Sequence, residues 1–150
     1  MDVLAFSLHT GRAVNTDERS TVRDWMTRRP ITVSEECAIE RAIGQMRTAQ
    51  IRHLVVVDGD RVTGIVSNRD LRRLLEDPTR PPRLTDPVRR IMTEDPVTAA
   101  PEMPVTEAAR LLLELKIGAL PIRDGDEIVG IFTTSDALEA LLALADSAAR

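Results

Sequence analysis

Two short patterns place a hydroxyl and a carboxylate three residues apart, where an apolar run gives way to a helical one. They are Ser67-Asn68-Arg69-Asp70 and Thr133-Thr134-Ser135-Asp136. A helix N-terminus leaves backbone N–H groups unpaired and carries the positive end of the helix dipole, so it favours a phosphate, with the hydroxyl as one more donor. A carboxylate in the first turn accepts hydrogen bonds from two neighbouring sugar hydroxyls at once. The same spacing is also a capping box, in which hydroxyl and acid bond the helix's own backbone. Other chemistry-bearing residues are sparse. Cys37 is the single cysteine, which excludes an internal disulfide and a cysteine-rich zinc site. It lies near a helix start without a partner for nucleophilic chemistry and reads as structural. The chain has two histidines, and His53, flanked by arginine and apolar residues, is short of the three or four ligands zinc needs. Paired catalytic carboxylates, a nucleophile with its base and a metal cluster are all missing, so neither catalytic residues nor a metal are expected.

The elements that position these corners come in duplicate. Shifted by 66 residues, Val22–Leu75 matches Val88–Leu141 at 17 of 54 positions without a gap, against about three expected by chance. Met26 pairs with Met92, Pro30 with Pro96, Gly64 with Gly130 and Asp70 with Asp136. Two copies predict a pseudo-twofold pair, not a solenoid.

Each copy reads as the same succession. Ser20 caps a short helix through Met26, and Pro30 leads into a brief strand at Ile31–Val33. A longer helix follows, with Ile39, Ala42, Ile43 and Met46 on one stripe and Val105, Ala108, Ala109 and Leu112 repeating it. Leu54–Val57, a turn at Asp58-Gly59-Asp60 and Val62–Val66 make a hairpin in which Gly59 supplies the positive φ. Leu120–Ile122, Asp124-Gly125-Asp126 and Ile128–Phe132 repeat it. Helices from Asn68 to Glu76 and from Thr134 toward Ala145 close the units. The fold class is α/β (α+β), each unit β-α-β-β-α with a lead-in helix. Boundaries fall at 1–19, a polar and mobile lead; 20–76, the first unit; 77–87, a linker with four of the nine prolines; and 88–150, the second unit. Leu138, Leu141, Leu142 and Ala145 form an apolar stripe for the other copy or a second subunit.

Bulk properties narrow the function. At 150 residues, 43% hydrophobic and 29% charged, the chain suits one compact domain or two small ones sharing a core. No apolar run approaches the ~20 residues of a membrane span and no signal peptide is evident, so we expect a cytoplasmic protein with no membrane association. A net charge of -4 exerts no general pull on nucleic acid. Arg72, Arg73, Arg89 and Arg90 lack the aromatic platform that single strands stack on, so they read as solvated arginines and no nucleic-acid partner is expected.

Two copies that each end in Gly-h-h-Ser/Thr-x-x-Asp, where h is apolar, resemble the CBS domain pair, or Bateman module. Gly64-Ile65-Val66-Ser67-Asn68-Arg69-Asp70 and Gly130-Ile131-Phe132-Thr133-Thr134-Ser135-Asp136 carry the resemblance, with Arg73 at the basic position beyond the first aspartate. Arg52-His53-Leu54-Val55-Val56-Val57-Asp58 is similar to the corresponding strand in nucleotide-binding subunits of AMP-activated kinases. The resemblance runs from Val22 to about Leu142 and implies a stand-alone CBS-pair protein that senses AMP, ADP or ATP, with S-adenosylmethionine a lesser option, and needs no cofactor. It implies ribose and phosphate contacts at Ser67 and Asp70 and at Thr133 and Asp136, and a base lying near Thr32 and Ile51 or near Thr98 and Ile117. By analogy with the family, Arg52, His53, Arg69 and Arg73 serve the first phosphate. The second site has Gly118, Ala119, Ser135 and Glu139 instead, and Glu139 would repel a phosphate, so the Asp70 site is expected to be the tighter one. The resemblance further implies a homodimer and a protein partner of unknown identity. The alternative is a ligand-free module for dimerisation or protein contact.

Overall fold

The computed structural model describes residues 20–76, 79 and 83–150. The expected mobile lead, 1–19, and residues 77–78 and 80–82 of the linker lie outside the described residues.

The first copy opens with α1 (Val22–Trp25). Its cap is Thr21, one residue later than expected: Asp24 Oδ2 accepts from the Thr21 backbone N–H at 2.9 Å and from its hydroxyl at 3.3 Å. Ser20 does other work. Its Oγ accepts from the Trp25 indole N–H at 2.7 Å, tying the helix to its own lead. After β1 (Thr27–Arg28) and β2 (Thr32–Ser34) comes α2 (Ile39–Ala49), which buries Ile39, Ala42 and Met46 as its periodicity predicts. The hairpin of β3 (His53–Asp58) and β4 (Arg61–Ser67) turns at Gly59, with φ +59, and α3 (Asn68–Glu76) closes the copy. A single 3-10 turn, Val88–Arg90, replaces the lead-in helix of the second copy. Then follow β5 (Thr93–Glu94), α4 (Val105–Leu115), β6 (Ala119–Asp124), β7 (Glu127–Thr133) and α5 (Thr134–Ala148).

Among the described residues the strands form two sheets, ordered β2-β3-β4-β5 and β1-β7-β6. The lead-ins therefore cross. β1 of the first copy pairs antiparallel with β7 of the second, and β5 of the second pairs antiparallel with β4 of the first. Side chains follow the strands: Val22 and Met26 are buried with Leu120, Ile122 and Phe132, while Val88, Ile91 and Met92 pack with Leu54, Val56 and Val66. Burying a side chain of this size contributes about 1.5–3 kcal/mol, so each core is completed by residues from the other repeat.

The crossing explains the glycine that begins each Gly-h-h-Ser/Thr-x-x-Asp motif. A Cβ on Gly64 would lie 2.5 Å from Met92 Sδ and 3.0 Å from the Thr93 carbonyl oxygen. One on Gly130 would lie 2.5 Å from Met26 Sδ and 3.0 Å from the Thr27 carbonyl oxygen. The methionines do fill core gaps, but in the partner repeat's core.

A second departure from symmetry has a local cause. In the first copy, β2 pairs in parallel with β3 over Thr32–Ser34. In the second, the equivalent strand shrinks to a single bridge between Ala99 and Ile122. Pro121 and Pro101 flank that bridge and have no N–H to donate to the next rung on either side. Between the sheets lies a shared apolar layer of Val55, Ala119 and Ile131, edged by Val57, Val62, Ile65 and Ile128. On α5, Asp136 and Ala140 are buried and Ala137 and Leu144 pack on the core. The stripe of Leu138, Leu141 and Leu142 instead stays 55–65% exposed, and Leu113 on α4 is exposed too. It is not spent on the other copy of the same chain.

Candidate functional site

Each corner forms because the last residue of a strand pairs with the first residue of the strand beside it. Ser67 sits opposite His53, and Thr133 sits opposite Ala119. The helix then starts at once. The Asn68 N–H donates to the Arg52 carbonyl at 3.0 Å and the Thr134 N–H to the Gly118 carbonyl at 3.1 Å, so each helix N-terminus is tied to the start of the neighbouring strand. Arg52, His53, Ser67, Arg69 and Asp70 are thereby brought together at one corner, with Arg73 one turn further along α3. Gly118, Ala119, Thr133, Ser135 and Asp136 take the same places at the other.

Both acids cap. Asp70 Oδ2 accepts from the Ser67 N–H at 2.8 Å and from its hydroxyl at 2.9 Å. Asp136 Oδ2 accepts from the Thr133 N–H at 2.7 Å and from its hydroxyl at 2.9 Å. The capping-box reading is thus realised twice, and in each case these contacts fall on one carboxylate oxygen. Exposure separates the two acids: Asp136 is 6% exposed, whereas Asp70 is only half-buried.

Charge separates them further. The ion pairs among the described residues join Arg23 to Glu102 and Asp124, Arg89 to Glu36, Arg90 to Asp86, and Arg123 to Asp126. None of these uses Arg52, Arg69 or Arg73, all of which are exposed around the Asp70 corner. The Arg69 guanidinium reaches across to the second copy, where its Nη1 donates to the Lys116 carbonyl at 3.4 Å.

His53 does not stand free among these cations. Its ring lies on Gly118 of the second copy, where an added Cβ would be 2.7 Å from Nε2. Burial pushes its pKa below the usual 6.5; Arg52 and Arg69 add to that fall, and Asp70 opposes it. The slot thus disfavours the imidazolium form of the ring. Cys37 is half-buried and its thiol pKa is raised by burial against the pull of Arg41, the profile of a structural residue.

The base positions are spread more widely. Thr32 pairs with Val55 and is exposed, so it shares a sheet face with His53 and Ser67. It lines a cleft of about 510 Å³ with Val57, Gly59, Asp60, Asp126, Glu127 and Ile128, contributed by both hairpins. Ile51 and Ile117 are half-buried against the cores of their own copies, and their N–H groups donate to the Met46 and Leu112 carbonyls. Thr98 is half-buried beside the Ala99 bridge. Sequence reasoning missed Lys116 and the slot at Gly118; the signal available was the pairing of Gly118 with Arg52 between copies. It also missed the carboxylates of Asp60, Asp126 and Glu127 beside Thr32, which lie in the two hairpin turns and at the first residue of β7.

A model of the CBS domain matches this sequence twice, over residues 22–77 and 88–143. The chain belongs to the CBS domain family. The CBS pair is 30% identical over 131 residues to a CBS domain-containing protein of Dictyostelium discoideum, covering 81% of this chain and 90% of that one. It spans only 25% of the inosine-5'-monophosphate dehydrogenase of Korarchaeum cryptofilum, at 33% identity over 130 residues and 86% of its own length. Among solved structures, CBSX2 in complex with AMP superposes with a TM-score of 0.71 at 29% identity, covering 83% of this chain and 98% of that one. The CBS domain pair of protein MJ0100, in complex with 5'-methylthioadenosine and S-adenosyl-L-methionine, gives 0.73 at 26% identity, with 81% and 95% covered. No helix among the described residues is long and apolar enough to cross a membrane.

Proposed function

We propose that this CBS pair is a regulatory sensor that binds an adenosine nucleotide at the Asp70 corner, catalyses no reaction, and signals through the packing of its copies or subunits. The observation that carries this reading is the half-buried Asp70 carboxylate at a corner that also carries the exposed Arg52, Arg69 and Arg73, none of them in an ion pair among the described residues. Capping and ribose binding are compatible, because a carboxylate has two acceptor oxygens and the cap uses Oδ2. Oδ1 then receives the ribose hydroxyls, the Ser67 end of α3 and the arginines receive the phosphate, and the base lies toward Thr32 and Ile51. The Asp136 corner, with Thr98, Ile117, Thr133 and Ser135, is the weaker site because its acid is buried and no arginine stands in the place of Arg52, Arg69 or Arg73. The AMP bound by CBSX2 and the adenosine compounds bound by the MJ0100 pair support the ligand class. AMP, ADP or ATP suits the cationic corner better than S-adenosylmethionine. Within this reading the protein is cytoplasmic, its working units are 20–76 and 88–150, and the exposed Leu113, Leu138, Leu141 and Leu142 face joins it to a second copy, with a further protein partner reading the change.

A second reading is favoured by the capping itself: both acids are folded onto their own helix ends and His53 fills the slot at Gly118. In that reading the pair serves only dimerisation or protein contact. Titration calorimetry with AMP, ATP and S-adenosylmethionine separates the two. Binding of AMP that weakens about 100-fold in Asp70→Ala, for about 3 kcal/mol of lost charged hydrogen bonds, and much less in Asp136→Ala, supports the sensor. No heat with any of the three ligands establishes the scaffold reading.

A further inference from the structure

We propose that His53 is a proton-operated wedge in the seam between the two copies, seated on Gly118 when neutral and expelled from that slot when protonated. The contact is close: Nε2 and Cε1 of the ring lie 2.7 and 3.1 Å from where a Gly118 Cβ would be, so the slot exists only because residue 118 is glycine. The repeat makes the fit one-sided. Ala119 stands in the second copy where His53 stands in the first, and Arg52 stands where the second has Gly118.

The groups facing the ring determine what a proton does there. Arg52 precedes it on its own strand, and α3 contributes Arg69 and Asp70. The second copy contributes Gly118, against which the ring is seated, in the turn Lys116–Gly118 whose Lys116 carbonyl already holds Arg69. Asp70 is the one anion in that set, and its Oδ2 is engaged by Ser67. A cationic imidazolium in a half-buried slot beside two guanidiniums is opposed by both desolvation and like charge. The ring relieves both by leaving the slot for solvent.

Its departure is felt at the other corner. The Gly118 carbonyl accepts from the Thr134 N–H at 3.1 Å and from the Thr134 hydroxyl at 3.4 Å, and Thr134 begins the helix capped by Thr133 and Asp136. A proton taken up at the first corner therefore loosens the support of the second, with no ligand involved. The inference stands apart from the nucleotide reading.

The test is an NMR titration of the ligand-free full chain between pH 5 and 8, following the His53 ring carbons and the Gly118 and Thr134 amides, with His53→Gln for assignment. The expected midpoint for His53 lies below 6.5, the two amides shift with the same midpoint, and their pH response vanishes in His53→Gln. Gly118→Ala, by evicting the ring, moves the midpoint up toward 6.5. A wild-type midpoint at or above 6.5, or amide shifts that persist unchanged in His53→Gln, overturns the proposal. If Gly118→Ala does not fold, wild type and His53→Gln decide it alone.

Discussion

Substituting Gly64 by alanine tests the crossed architecture directly. The new methyl would sit 2.5 Å from Met92 Sδ, 2.9 Å from Met92 Cγ and 3.0 Å from the Thr93 carbonyl oxygen, where carbon contacts are comfortable at about 3.5–4.0 Å. The partly buried thioether must turn aside, and Thr93 cannot retreat without breaking the Gly64–Glu94 and Ile65–Thr93 pairs of β4 and β5. Overpacking of this kind costs about 1–3 kcal/mol. We expect about 2 kcal/mol, which for a chain of this size is a fall in Tm of roughly 4–8 °C. The informative measurement is a double-mutant cycle by urea denaturation. In a Met92→Ala background the sulfur clash is gone and only the carbonyl contact remains, so Gly64→Ala costs about 1 kcal/mol less there. In a Met26→Ala background the two effects add within about 0.5 kcal/mol. Met26 belongs to the same repeat as Gly64 and Met92 to the other. Coupling of Gly64 to Met26 instead of Met92 would refute the crossed lead-ins and every conclusion drawn from them.

Three further outcomes follow from particular residues. Asp136→Ala should destabilise the protein more than Asp70→Ala, by about 1 kcal/mol, because both lose a cap but only the 6% exposed Asp136 is itself buried, so its truncation also leaves a void; equal urea midpoints would contradict this. Gln50 and Lys116 end α2 and α4 in the left-handed region, each at φ 54, so Gln50→Gly should raise stability by roughly 0.5–1 kcal/mol, and a lower Tm would show that the Gln50 side chain contributes more than its backbone strain costs. His53 has a folded pKa below its ordinary 6.5, so the folded state binds fewer protons than the unfolded chain. Its stabilising contribution is complete above pH 6.5 and is lost as the pH falls from there through the lower folded value. Urea midpoints at pH 7.5 and 5.0 should therefore differ more in wild type than in His53→Gln, and an equal drop in both would remove histidine as the cause.

Much of the site was legible in the sequence because its parts are local. The hydroxyl and the acid of each corner are three residues apart and belong to one strand-to-helix turn, so spacing places them before any tertiary contact is made. Arg69 and Arg73 follow on the same helix, and Arg52 joins them through the pairing of His53 with Ser67 that the hairpin at Gly59 imposes. The exposures that make Asp70 and Asp136 different were not legible. They depend on what packs over each helix end, and two corners of nearly identical pattern give no hint of it.

The sequence by itself determined the duplication, the order of the longer helices and hairpins, the stripes that α2 and α4 bury and the location of both corners, because hydrophobic periodicity and turn chemistry act over a few residues. Tertiary structure alone decided which repeat each lead-in completes, which of the two acids stays within reach of solvent, and that His53 rests on a glycine 65 positions along the chain. The physical reason is degeneracy. Two copies with matching apolar faces offer each lead-in two nearly equivalent cores, and only the way the chain packs in three dimensions chooses between them.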